Sequence, residues 1–214
     1  MNVDPERMKI QAITWDGSPY SHLEQVQRLL EAGARWIQLR QKQGSFEEKK
    51  RVAVTCAEMC RKKQAILIIN DDPFLCLESD ASGVHLGLSD MPVPEARKLL
   101  GENFIIGGTA NTPEQMASRM EQGVDYVGVG PYRETGTKEN LSAILGDAGV
   151  KAAADQYRER EALGLRTAPF VVIGGITAAD TSRILSLGAH GIAVSSAVVG
   201  QKDIAKAYLE FLRR

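Results

Sequence analysis

The charged and amide side chains of this chain gather in short groups whose spacing suits the handling of phosphate. In QLRQK, residues 38 to 42, Gln38, Arg40 and Lys42 alternate, and in extended backbone a period of two puts all three side chains on one face. Two cations beside an amide suit a diphosphate better than a lone carboxylate, because each cation can meet its own phosphoryl oxygens. Asn70 and Asp71 close IIND at 68 to 71, and Asp90 closes HLGLSD at 85 to 90. Two carboxylates and an amide facing a diphosphate are what Mg2+ takes: hard oxygen ligands, few of them from protein, with phosphate and water completing the shell.

A second anion site is expected further along. Gly174 and Gly175 in IGGI let backbone N–H groups approach an anion closely, and Ser195 and Ser196 in VSSA place donors ahead of a helical turn. Thr135, Thr137 and Lys138 in GPYRETGTK, residues 130 to 138, offer two hydroxyls and an ammonium on a segment able to close over a phosphorylated ligand. Each group also has a plainer reading, in which the glycines serve tight packing and the serines cap a helix. Asp72 precedes Pro73 and reads as an N-cap, and Asp90 stands close enough to MPVPEARKLL to serve in the same way. Of the three histidines, His22 reads as a helix start and His190 as a turn residue; His85 lies among polar motifs but is read as structural. Cys56, Cys60 and Cys76 have no nearby histidine to complete a zinc set and read as small buried residues.

These groups share a position, since each ends a short apolar, β-rich run. Strands are expected near 8–14, 35–40, 65–70, 83–87, 104–109, 125–130, 169–174 and 190–195, with helices between them and a last helix near 201–213. Ser21 with Glu24, Ser45 with Glu48, Thr112 with Gln115 and Thr177 with Asp180 have the spacing of capping boxes, and Pro113 suits a first helical position. A weak repeat runs through EAGARWIQLR, ESDASGVHLG, EQGVDYVGVG and SLGAHGIAVS, each ending a helix at or near glycine and entering a strand. Alternating strands and helices predict an α/β chain folded as a single (β/α)8 TIM barrel over residues 1–214, with a doubly wound open sheet as the rival. A barrel brings all the polar groups to one rim, where such folds carry their active sites. Residues 131–150 show no sustained periodicity and are expected to form a long ligand-covering loop.

With a net charge of −1 the chain has no global field to attract nucleic acid or an anionic membrane, so any anion must be held by local charges. The expected partners are small molecules. No apolar run approaches the ~20 residues needed to span a bilayer, and MNVDPERMK lacks the apolar stretch of a secretory signal; a cytoplasmic location is the expectation. No excess apolar helix face is evident on reading, and a homodimer stays open.

Taken in order, QLRQK, IIND, GVHLGLSDMPVPEAR, IIGGTANT, YVGVGPYRETGTK, VVIGGI and GAHGIAVSSAV resemble the thiamine-phosphate synthase family over roughly residues 30 to 200. The resemblance implies an α/β barrel that uses Mg2+ to join a hydroxymethylpyrimidine diphosphate to a thiazole phosphate, releasing pyrophosphate. Carried over motif by motif, it implies that Gln38, Arg40, Lys42 and Asn70 hold the pyrimidine substrate and its diphosphate, and that Asp71 and Asp90 ligate Mg2+. Thr109 takes the place usually held by a serine near the pyrimidine. Thr135, Thr137, Gly175, Ser195 and Ser196 would contact the thiazole phosphate and Lys138 the diphosphate, so that Arg40, Lys42, Thr109 and Lys138 carry the catalytic roles. The chain departs from the family at Asp72, where a basic residue is common, at Asn111, where histidine is common, and at Thr109. A thiazole tautomerase and a non-catalytic binder of thiamine phosphates are the competing readings; neither requires the cationic pair and the carboxylate pair together.

Overall fold

A computed structural model describes residues 9–136 and 143–213. Eight parallel strands close into one barrel in chain order, β1 pairing with both β2 and β8. They are β1 (Ile10–Ile13), β2 (Trp36–Leu39), β3 (Ile66–Asn70), β4 (Gly83–Leu86), β5 (Ile105–Ala110), β6 (Tyr126–Val129), β7 (Phe170–Ile173) and β8 (Gly191–Val194). Between them run α1 (His22–Glu31), α2 (Phe46–Lys62), α3 (Pro73–Glu78), α4 (Val93–Leu100), α5 (Pro113–Gln122), α6 (Gly146–Ala162) and α7 (Thr181–Ser186), followed after β8 by the short α8 (Ser196–Val199) and by α9 (Ile204–Leu212). Closure excludes the open-sheet rival. Among the described residues no helix is long and apolar enough to cross a membrane.

Capping chemistry sets the helix starts. Ser21 and Ser45 form complete capping boxes with Glu24 and Glu48, and Thr112 accepts the Gln115 amide. Thr177 and Asp180 form a third box, over a short 3-10 turn at Ala178–Asp180 that leads into α7. Helix ends follow the repeat, with Gly33, Gly123 and Gly188 in the left-handed region; in the ESDASG copy that conformation falls on Asp80. The structure differs from expectation after β6. The segment read as loop to residue 150 turns helical at Gly146, because GDAGV hides a first helical turn behind two weak helix formers.

Period two divides every strand. Outward residues such as Ile37, Leu67, Val84, Ile106, Val127, Val172 and Ile192 pack under the helices, in the layer that also takes Cys56, Cys60 and Cys76. Burial pushes those three thiols up to about 12, so they behave as small apolar groups. Inward residues Ile13, Trp36, Ile68, Ile105, Tyr126, Val171 and Ala193 fill the closed floor. Trp36 meets Tyr126 edge to face at 4.9 Å. Rings of that size fit only beside small neighbours: a Cβ on Gly107 would lie 2.2 Å from the Tyr126 ring, and one on Gly128 3.1 Å from His85. Gly107→Ala is therefore expected to cost about 1–3 kcal/mol through overpacking, read from urea unfolding; unchanged stability would mean that the floor repacks freely.

Candidate active site

Above the apolar floor the same inward positions turn polar. A cavity of about 560 Å³ opens there, lined by Gln11, Gln38, Asn70, His85, Thr109, Gly128, Ile173 and Ala193, one residue from each of the eight strands. Arg40, Lys42, Asp71, Asp90, Asn111, Thr135, Gly174 and Ser195 form its upper wall. Of the residues singled out in the sequence, Gln38, Arg40, Lys42, Asn70, Asp71, Asp90, Thr109, Thr135 and Ser195 thus meet at one rim. Gly175 and Ser196 stand outside the lining, where Gly174 and Ser195 take the inner places. Thr137 and Lys138 lie outside the described residues.

The side formed by β2, β3 and β4 carries the charge. Gln38 Nε2 donates to Asn70 Oδ1 at 2.7 Å, joining the exits of β2 and β3. Lys42 Nζ forms an ion pair with Asp71, while Arg40 makes no ion pair among the described residues. Asp71 sits in the left-handed region at φ 67°, a conformation a short polar residue tolerates and one that marks a site held by its surroundings; its N–H donates to the His85 carbonyl at 2.8 Å. The Asp71 and Asp90 carboxyls are close enough to shift one another's pKa. Burial raises the Asp71 pKa, but the Lys42 ammonium and the neighbouring Asp90 carboxyl together hold it below its usual range. Burial and the neighbouring Asp71 raise that of Asp90.

The two capping questions resolve in opposite ways. Asp72 caps α3, its Oδ1 accepting the Leu75 amide at 2.9 Å. Asp90 does not cap α4: its Oδ2 accepts the Gly87 amide at 2.6 Å, and α4 has Pro92 at its N-cap with no side-chain cap. A second cavity of about 430 Å³ adjoins the first and shares Lys42, Asn70, Asp71 and Asp90 with it.

His85 does more than fill space. Its Nδ1 lies 2.9 Å from the Tyr126 hydroxyl, which Gln11 Nε2 also reaches at 3.0 Å, and its Nε2 lies 3.0 Å from Thr109 Oγ1. Arg119, on α5 and 6% exposed, holds the Gly87 carbonyl at 2.7 Å and the Thr109 carbonyl at 3.1 Å, so it ties the exits of β4 and β5 together. Neither Arg119 nor Gln11 is legible as a site residue in the sequence. Arg119 left one signal, since with Met116 and Met120 it falls on the buried stripe of its helix, where an arginine must find partners.

On the opposite side Gly174 and Gly175 have φ of 101° and 64°, and a Cβ on either would come within 3 Å of Pro131, Arg133 or Glu134. Tight packing is therefore one of their roles. The start of the 131–150 segment is pinned rather than loose: Tyr132 N–H donates to the Ile173 carbonyl and Arg133 N–H to that of Gly174, at 2.8 and 3.0 Å. The Arg133 guanidinium grips both oxygens of Asp180 at 2.6 and 2.7 Å. Ser195 lines the cavity while its carbonyl accepts the Val198 and Val199 amides that begin α8.

Arg133 and, next, Thr177 hold Asp180 down to about 2. Since the folded-state pKa is the lower one, the pair stabilises the fold above about pH 4 and stops doing so as pH falls through about 2. The stability difference between the natural chain and Arg133→Met, measured by urea unfolding, is expected to hold steady from about pH 7 to 5 and to shrink between about pH 4 and 2. A difference that ignores pH would contradict the assignment.

Comparison with known proteins follows the same lines. A family model described as thiamine monophosphate synthase matches residues 10–198. The thiamine-phosphate synthase of Bacteroides fragilis is 45% identical over 196 residues, covering 92% of this chain and 94% of its own. That of Bacteroides thetaiotaomicron is 43% identical over 198 residues, covering 92% and 93%. A solved thiamine phosphate pyrophosphorylase from Pyrococcus furiosus is similar with a TM-score of 0.85 at 30% identity, covering 98% of this chain and 96% of its own.

Proposed function

The chain belongs to the thiamine monophosphate synthase family, and on that premise we propose that its rim joins 4-amino-5-hydroxymethyl-2-methylpyrimidine diphosphate to 4-methyl-5-(2-phosphoethyl)thiazole, giving thiamine phosphate and pyrophosphate. Family membership makes it a transferase of the pyrimidinylmethyl group. The observation that carries the assignment of roles is the meeting of Arg40 and Lys42 with Asp71 and Asp90 beside a cavity deep enough for an aromatic ring.

In this reading the pyrimidine ring enters the cavity among Gln38, Asn70, His85 and Thr109, and its diphosphate lies toward Arg40 and Lys42. The methylene carbon–oxygen bond breaks with its electron pair leaving on pyrophosphate, and the thiazole nitrogen lone pair forms the new carbon–nitrogen bond. That nitrogen carries no proton, so no general base is needed; His85 is engaged by Tyr126 and Thr109, and Asp71 and Asp90 are assigned to the metal. Catalysis then consists largely of fixed positive charge where negative charge develops. Arg40 is suited to this because among the described residues no carboxylate neutralises it, and Lys42 would be free for phosphate if Asp71 held a metal. Lys138 completes the cationic set. Thr135, Ser195, Ser196 and the backbone at Gly174 and Gly175 support the thiazole phosphate on the far side, and the family resemblance assigns Thr137, outside the described residues, to the same phosphate.

The donor set suits Mg2+. Asp71 and Asp90 are adjacent, both oxygen donors, and crowded enough to raise the pKa of Asp90, and among the described residues no larger cluster of potential ligands exists. Two carboxylates leave most of the shell to phosphate and water, as this cation prefers. Bound there, Mg2+ supplies positive charge to the departing pyrophosphate. Both substrates are phosphorylated and cannot cross a bilayer unaided, which favours a cytoplasmic setting.

The purified protein, given both substrates and Mg2+, is expected to release pyrophosphate and form thiamine phosphate. Conversion of the thiazole isomer in its place would sink the reading in favour of a tautomerase. Asp71→Ala is expected to lower turnover by roughly 10²–10³-fold and to raise the Mg2+ needed for half-maximal rate, with an unchanged circular dichroism spectrum. Near-normal turnover would remove Asp71 from the metal. Lys138→Ala should slow turnover more than it weakens thiazole phosphate binding.

A further inference from the structure

Arg40 and Lys42 lie past the end of β2, which stops at Leu39. The last rung between β2 and β3 pairs Leu39 with Ile69, so the ladder no longer fixes the backbone that carries the two cations. Something else does. In the parallel ladder between β1 and β2, Thr14 N–H donates to the Gln38 carbonyl at 2.9 Å. The next rung would run from Arg40 N–H to the Thr14 backbone carbonyl. Instead the Arg40 amide donates to the Thr14 hydroxyl, at 2.9 Å. Two residues on, the Lys42 amide donates to Asp16 Oδ2 at 3.2 Å.

The two acceptors are joined by one ring. His22, the first residue of α1, lies with Nδ1 2.8 Å from Thr14 Oγ1 and Nε2 3.2 Å from Asp16 Oδ1. Thr14 is fully buried, and the His22 and Asp16 side chains are only 11% and 21% exposed. Thr14 and Asp16 follow β1 at the same period of two that Arg40 and Lys42 follow after β2. Each cation-bearing residue therefore has its own acceptor for its backbone amide.

We propose that Thr14, His22 and Asp16 form a positioning unit that fixes the β2 exit so that Arg40 and Lys42 are presented to the diphosphate in one preset arrangement. The proton accounting closes. The Thr14 oxygen accepts from the Arg40 amide and its hydroxyl proton goes to His22 Nδ1; the His22 proton sits on Nε2 and goes to the Asp16 carboxylate. Every group in the chain is used, so rotating any one of them strands another. None of the three lines the central cavity; they act through the backbone of residues that do. The ordering entropy of this segment is met on folding rather than on binding, which is what support behind a binding residue contributes.

The inference rests on the diphosphate-binding roles proposed for Arg40 and Lys42, and the experiment separates the two. Thr14→Val keeps the shape and removes the hydroxyl; Thr14→Ser keeps the hydroxyl. Thr14→Val is expected to raise KM for the pyrimidine diphosphate roughly 10-fold or more while KM for the thiazole phosphate stays within about twofold, and Thr14→Ser should restore both to within about twofold of the natural chain. Hydrogen exchange at the Arg40 amide should quicken in Thr14→Val and not in Thr14→Ser. Asp16→Ala, at a partly exposed position, gives an independent arm if Thr14→Val does not fold: the Lys42 amide should exchange faster, with the same selective rise in KM. If Arg40→Met raises that KM but neither Thr14→Val nor Asp16→Ala does, the positioning unit is wrong and the site reading stands. If Arg40→Met leaves it unchanged, both are overturned. Equal rises in both KM values with a lowered melting temperature would mean a merely structural role.

Discussion

A closed barrel has a fixed interior, and the volume inside it decides where chemistry can occur. Eight strands leave room for side chains and little more, so the floor must be filled and the space above it must be kept. Here the floor is filled by two large rings, Trp36 and Tyr126, which meet edge to face. The Tyr126 ring fits because β5 gives up its side chain at Gly107, and β6 does likewise at Gly128. The same concession lets the His85 ring lie against Gly128 and reach Thr109. Polar groups can stand above this floor because each has a partner, across the barrel for Gln11 with Tyr126 and on the neighbouring strand for Gln38 with Asn70 and His85 with Thr109.

Electrostatics then act on a site already built by packing. A chain of net charge −1 attracts anions only where it concentrates cations. The β2 exit does so, and the β3 and β4 exits answer it with Asp71 and Asp90. The Lys42–Asp71 ion pair is half exposed and adds little to stability. In the proposed reading its two partners have separate uses, Lys42 toward the diphosphate and Asp71 toward a metal. The left-handed backbone at Asp71, anchored by the His85 carbonyl, keeps that carboxylate at the junction of the two cavities.

Much of this was legible in the sequence, for reasons that can be named. Strand exits announced themselves because polar residues after an apolar run alternate, as Gln38, Arg40 and Lys42 do. Helix starts did so because hydroxyl and acid recur at capping distance, and four such pairs are seated at helix or turn starts. What stayed hidden depends on partners distant along the chain. Nothing near Arg119 states that it will hold the Gly87 and Thr109 carbonyls, because those contacts form only once α5 packs over β4 and β5. Thr14 and Asp16 were overlooked because β1 ends in one hydroxyl and one acid with no cation beside them. The helix from Gly146 was hidden by GDAGV, whose local propensity is overridden by contacts to Pro131 and Tyr132.

Those last contacts join the loop after β6 to the loop after β7. Leu145 and Gly146 donate to the carbonyls of Pro131 and Tyr132 at 2.9 and 3.1 Å, so the segment between them is closed at its base. Tyr132 and Arg183 both bind Asp147, and Arg133 binds Asp180. Tyr132 N–H donates to the Ile173 carbonyl and Arg133 N–H to that of Gly174, so the start of this loop is tied to the backbone around the glycine pair. Lacking side chains, the glycine pair admits the base of the loop, since a Cβ on either would meet Pro131, Arg133 or Glu134. The anion-binding role proposed for the same backbone makes the same demand, a position without a side chain, so packing and the proposed binding do not compete for it.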